Sequence, residues 1–280
     1  GKGVNTPRYD ENQMTPIKWN GSSWVKTAGN DPDWYDYTEK KWANAMTEDG
    51  SMWVWIPRYA YSITSGYHSS STGTIEIKFL KESSNVAYDG TSTWDNVSGQ
   101  GKWNVHPSFN YGQEVSGIWV AKFEASPEGA TTNPSNSEYD GTGKKLQVKP
   151  GVSSWRSITI SNIYDVCKNY NSALNSHMMK NDEWGAVAYL SKSRYGKSAE
   201  VDRNGNSSYY TGGGSGNAYV NNVGQSTTGT VYGAYDMSGG AWEYVAAYVD
   251  NGDSNLTSYG SSLVNGDAKV KNVYTRGNRK

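Results

Sequence analysis

Residues 231–250 read VYGAYDMSGGAWEYVAAYVD, a glycine pair set between an aromatic run and a segment in which Trp242, Glu243, Tyr244 and Tyr248 crowd together. A binding surface, a catalytic pocket and a buried core all use such a pattern. The rest of the chain has to choose among them.

The chain has 280 residues, 35% of them hydrophobic, with a mean hydropathy of −0.78. It nevertheless carries 12 Trp and 22 Tyr among abundant Gly, Ser, Asn and Thr. Disordered chains lack aromatics, so this composition describes a folded, loop-rich protein. A formal net charge of −1 supplies no general attraction to phosphate polymers, which argues against nucleic acid as a partner. The single cysteine, Cys167, rules out an intrachain disulfide or a zinc site built from several cysteines. No run approaches the ~18–20 apolar residues of a membrane span. The Ser, Thr, Asn and Tyr content suggests an extracellular setting, on a cell or virion surface.

Outward from the opening stretch, residues 1–50 are expected to form a small β-rich module, with Asn20-Gly21 as a two-residue hairpin turn in PIKWNGSSWVK (16–26). NDPDWYDYTEKKWANA (30–45) reads as a satellite aromatic cluster on that hairpin, or else as a ligand-stacking strip. SMWVWIPRYAYSI (51–63) reads as a strand with Pro57 at an edge or bulge, and TIEIKFL (74–80) and GIWVAKFEAS (117–126) as further strands. Residues 82–116 and 127–145 read as loops. A helix is expected after a cap at Ser161 or Asn162, because Ile163, Val166, Cys167 and Tyr170 recur at helical spacing. A second is expected over 181–196, with Asp182 and Glu183 in its first turn, Trp184, Val187 and Ala188 as its stripe and Gly196 as its stop. Residues 201–230 are low in aliphatics and read as a long surface excursion.

MWVWIPRYAYSI, GIWVAKFEAS, SWRSITISNIYDVCKNYN, HMMKNDEWGAVAYLSKSRYG and VYGAYDMSGGAWEYVA follow one another in an order that resembles the formylglycine-generating enzyme and sulfatase-modifying-factor superfamily. The most specific element is GAYDMSGGAWEY (233–244), which matches at Gly233, Tyr235, Asp236, Met237, Gly239, Trp242 and Glu243, with Gly240 where Asn is usual. The resemblance covers about residues 51–250. It implies an α+β, C-type-lectin-like domain over 51–280 with two helices, irregular antiparallel sheets and long loop insertions. It implies structural roles for Glu183, Trp184 and the 235–243 motif, Trp242 filling the core. The superfamily's final strands have only a faint echo here, at Arg276-Gly277, which implies that they come from another chain or that this is a fragment.

The resemblance implies no copper oxidase, because that activity uses a cysteine pair. Cys167 reads as a small buried hydrophobe, and His68, His106 and His177 as scattered, solvent-exposed loop residues. Glu124, Glu183 and Glu243 could converge as paired carboxylates for glycosidic-bond hydrolysis, against the structural roles that the resemblance gives the last two. Asp202, Asp250 and Asp253 lie in oxygen-rich turns that suit calcium weakly, so no cofactor is expected apart from a structural calcium.

What remains is recognition, not catalysis. Tyr, Trp, Ser, Asn and Gly are the vocabulary of adaptable binding surfaces, and the expected contact residues are Tyr209, Tyr210, Tyr219, Tyr248 and Tyr259. A glycan or protein receptor is the expected partner. The alternatives are a degenerate or metal-dependent enzyme of the superfamily and a filament subunit that contacts its own copies or an anchoring subunit. The superfamily's closest comparison would then be with its non-enzymatic surface proteins and its retroelement-diversified variable proteins, with a pilus or a phage tail fibre as the setting.

Overall fold

The computed structural model describes residues 4–137, 139–141 and 143–277. Its five-stranded sheet joins β1 (Met14–Trp19), β2 (Trp24–Lys26), β3 (Asn44–Thr47), β4 (Met52–Pro57) and β8 (Gly117–Ala121) in the order β2-β1-β3-β4-β8, antiparallel throughout. A second, three-stranded sheet orders β5 (Tyr59–Ser65), β6 (Thr74–Phe79) and β7 (Trp103–Val105) as β6-β5-β7. Two small sheets pair β9 (Ser126–Pro127) with β10 (Leu146–Gln147) and, in parallel, β11 (Ala247–Val249) with β12 (Asn272–Tyr274). With α1 (Ile160–Asn169), α2 (Asn181–Lys192) and α3 (Ser254–Val264), the chain is a mixed α/β protein built mainly on antiparallel sheets.

The expected boundary at 50/51 falls in the turn between β3 and β4. Asn44 pairs with Val54 and Met46 with Met52, so residues 1–50 share a sheet with the rest instead of forming a module of their own. The aromatic segment 30–45 belongs to the main core. Trp34, Tyr37 and Trp42 are buried together with Val54, Ile56, Tyr59 and Leu190. Each polar tip there has a partner: Trp34 Nε1 donates to Asn44 O, Tyr37 Oη to Trp55 O and Trp42 Nε1 to Tyr195 O, at 2.7–2.8 Å. Buried rings usually have their N–H and O–H groups satisfied in this way; in the same core Trp55 Nε1 is an exception, with no partner among the described residues.

The hairpin at Asn20-Gly21 is present, but Trp19 pairs with Trp24, so its loop has four residues. Asn20 Oδ1 accepts from Ser22 N and Ser23 N and fixes that turn. The run 51–63 is two strands, separated at Arg58. This buried guanidinium donates to Ser84 O, Asn85 Oδ1, Phe109 O and Glu114 Oε2. One side chain thereby holds both ends of segment 82–116, which is not wholly the expected loop, since it carries β7, and His106 and Phe109 from it enter the core.

Helix α1 starts two or three residues earlier than expected, because Thr159 is its cap and accepts from Asn162 N. In α2, Glu183 Oε1 accepts from Lys180 N at 2.7 Å, and the helix ends at Lys192, before Gly196. Helix α3, absent from the sequence reading, is capped by Asp253, which accepts from Asn255 N. It packs on α1 through Leu263 and Tyr164, and Ser262 Oγ donates to Asp165 Oδ2. Among the described residues no helix is long and apolar enough to cross a membrane.

Candidate recognition site

Asp236 organises the opening stretch. It is buried at φ +62°, and its carboxylate accepts from Gly212 N, Asn204 Nδ2 and Glu124 N. Burial pushes this carboxyl up to about 6 even though those donors favour its charged form. Three segments meet at this one side chain: its own, that of Glu124, and the 201–230 segment through Asn204 and Gly212.

The glycines that follow let these segments close up. Gly239 (φ +80°) forms a bridge with Asn204, where a Cβ would lie 2.4 Å from Asn204 O. Gly240 (φ +73°) presses on the Glu124 carboxyl, and a Cβ there would lie 2.7 Å from Oε2. Left-handed backbone and close approach both call for glycine at these two positions.

Glu124 packs against this turn. Its Oε1 is shut off from solvent and, among the described residues, has no hydrogen-bond partner; Oε2 accepts a long bond of 3.4 Å from Ala241 N. Burial first, then the charges of Asp236 and Glu243, raise its pKa well above the ordinary carboxylate range. Glu243 is itself an exposed residue; crowding around its carboxyl and then the Asp236 charge push it up to about 7, opposed by a hydrogen bond with Trp184. The cluster thus holds carboxyls that keep protons at mildly acid pH, able to donate as well as accept.

The largest correction concerns Trp242. Expected in the core, it is 89% exposed, with Tyr244 beside it at 48%. The chain turns at Gly239-Gly240 so that Ala241 N faces Glu124, and the indole projects outward from the rim. The rest of the motif is architectural: Tyr235 is buried against Phe123 and Tyr219, and Met237 packs on the main core.

The five expected contact tyrosines divide. Tyr219 is buried, accepts from Trp24 Nε1 and cannot meet a ligand, so that expectation is wrong. Tyr210 is half-buried, its Oη bonded to Thr132 O. Tyr209 is exposed at φ +58°, under the Arg156 guanidinium, and its carbonyl accepts from Ser154, whose side chain lies beside Glu124. Tyr209 is therefore linked to Glu124 through Ser154. Tyr248 lies in β11 with Lys271 over its ring, and Tyr259 is exposed on α3; no contact places either at the carboxyl cluster. The 201–230 segment is not a surface excursion, since Asn204, Thr211, Gly212 and Ser226 to Thr228 are buried and two of them hold Asp236.

The other ionisable groups serve the fold. His106 is buried among Tyr59, Tyr61, Phe109 and Tyr189, and burial lowers its pKa to about 3. His177 Nε2 lies 3.0 Å from both Glu183 oxygens, and Tyr111 Oη donates to the same carboxylate. Neither is the exposed loop histidine that was expected. Glu183 sits in that network, away from Glu124 and Glu243, so the expected triple convergence reduces to these two carboxyls with Asp236 between. Lys122 is buried, donates to Val231 O and Gly233 O, and lies under the Trp24 and Tyr235 rings. Cys167 packs between the core clusters, its thiol pushed up to about 12 by burial.

Among the calcium candidates, Asp253 caps α3 and Asp202 pairs with Lys197 at 3.0 Å, while Asp250 is bound through its backbone N–H to Tyr274 O. Among the described residues, no group of three or more His, Cys, Asp or Glu side chains is placed to hold a metal ion. No family model matches this chain, and no curated protein matches it.

Proposed function

We propose that the chain is a surface recognition protein that binds a saccharide at the surface around the exposed Trp242, which is its stacking platform, next to the carboxyl cluster of Glu124, Asp236 and Glu243. A large indole left in water beside buried, protonatable carboxyls is the observation that carries this reading. A sugar has an apolar C–H face for the ring, and its hydroxyls both donate and accept, as a neutral carboxyl does.

The scaffold behind the cluster is, on this reading, C-type-lectin-like, supported by the ordered motifs and by the buried Asp236 turn. An extracellular place on a cell or virion, including a pilus or tail fibre, suits ligand contact through Trp, Tyr, Ser and Gly on loops. A glycan array followed by titration calorimetry on wild type and Trp242→Ala tests the proposal: saccharide binding that Trp242→Ala weakens tenfold or more supports it.

A second reading is favoured by the raised pKa values of Glu124 and Glu243, which would suit an acid and its partner in glycosidic-bond hydrolysis. Release of reducing ends from a bound glycan, abolished by Glu124→Gln, would select it over binding alone.

A further inference from the structure

His177 lies in the connection between α1 and α2, and both of its ring nitrogens face acceptors. Nδ1 is 3.0 Å from Asn175 O, and Nε2 is 3.0 Å from each Glu183 oxygen. A carbonyl and a carboxylate have no hydrogen to give, so each nitrogen must carry one, which makes the ring an imidazolium. A neutral ring fails in either tautomer, because it turns a lone pair on Asn175 O or on the carboxylate. The side chain is 20% exposed, so water reaches it to exchange the proton.

The groups around the ring set the pH of that exchange. Burial opposes the imidazolium, as does Lys180, but the Glu183 carboxylate and Asn175 O outweigh them and raise the His177 pKa above 6.5. Burial also disfavours the Glu183 carboxylate, yet His177, Tyr111 and the Lys180 N–H hold it below 4.5. Tyr111 Oη donates to Glu183 and keeps its proton, through burial and then the Glu183 charge. Lys180 lies over the Tyr111 ring and 3.8 Å from Asp182, and Lys269 lies against Gly112. Glu183 and Tyr111 thus keep their charge states while His177 titrates. What the charged ring contributes is complete below 6.5 and is lost as pH rises through the folded value.

Both partners adjoin the anchors of the segment that carries Trp242. Two residues beyond His177, Met179 O accepts from Ala246 N at 2.7 Å, and Met178 packs with Ala246, Tyr164 and Leu263. One residue beyond Glu183, Trp184 hydrogen-bonds with the Glu243 side chain. Residues 241–246 form neither helix nor strand, so these anchors set where the segment lies. We propose that the His177–Glu183 pair is a pH-sensitive latch: the charged imidazole holds the 175–180 connection against α2 and so fixes the Trp242 segment, and the neutral imidazole lets both loosen. Its bearing on saccharide binding rests on the reading given above; the latch itself is tested without a ligand, so the two fail separately.

The test is an NMR pH titration of the full chain that follows the His177 ring and the Ala246 amide. The amide is expected to shift with the midpoint of the ring. Its hydrogen exchange, corrected for intrinsic pH dependence, is expected to quicken about fivefold or more across that midpoint. Asp236 and Glu243, pushed up to about 6 and about 7, titrate nearby. His177→Gln separates them: its side-chain amide can donate to Glu183 but carries no charge at any pH. The step at the His177 midpoint is therefore expected to vanish in this variant while that of Glu243 remains. An Ala246 amide that stays still while the wild-type His177 ring titrates overturns the proposal, whether or not the variant folds. So does a step that keeps its midpoint in His177→Gln.

Discussion

Asn204 Nδ2 donates at 2.9 Å to Asp236 Oδ1, and both side chains are buried. This bond ties the 201–230 segment to the glycine turn, and Gly212 N and Glu124 N meet the same carboxylate. The cluster therefore rests on one acidic side chain.

Asp236→Ala removes the acceptor for three buried donors. A loss of about 3–5 kcal/mol is expected in urea unfolding, since each orphaned donor costs about 1–3 kcal/mol. Asp236→Asn keeps one acceptor oxygen and is expected to lose less.

Gly239→Ala forces a left-handed alanine into contact with Asn204 O. The expected cost is at least about 2 kcal/mol, the sum of backbone strain and displacement. Gly205→Ala, which meets open space, is the control and should stay within about 0.5 kcal/mol of wild type.

Strand β6 and helix α2 were legible because alternation in TIEIKF and a charged first turn are local signals, although α2 buries Ala186, Val187 and Leu190, so of the expected stripe only Val187 is buried. Trp242 was not legible. Its neighbours in sequence are those of a core tryptophan, and its exposure depends on how Gly239 and Gly240 turn the chain around Glu124. Helix α3 escaped notice because SNLTSYGSSLV is polar along most of its length; the signal was Asp253 as a cap, and it was read as a calcium ligand. Glu124 stood apart as a site residue only through its burial, which no short pattern encodes.

Acid should find His106. Its folded pKa is lowered to about 3 from an ordinary 6.5, so the stability it contributes is complete above 6.5 and is lost as pH falls through that window. His106→Asn keeps an acceptor for Ser108 N at some cost in packing. The gap between wild type and this variant in thermal unfolding is expected to narrow steadily from pH 6.5 down to 3.

Glu124 should act with the opposite sign. A raised carboxyl contributes its stability below the ordinary value of 4.5 and loses it as pH rises toward the folded value. Glu124→Gln is uncharged throughout, so it is expected to gain on wild type as pH increases from 4.5 to 8. Chemical denaturation at each pH reads the difference.

The most direct measurement is the saccharide affinity of wild type and Trp242→Ala by titration calorimetry, with the stability of both determined in parallel. At 89% exposure the indole contributes little to folding, so the variant is expected to unfold within about 0.5 kcal/mol of wild type while binding at least tenfold more weakly. Unchanged saccharide affinity in a stably folded Trp242→Ala protein would contradict the account.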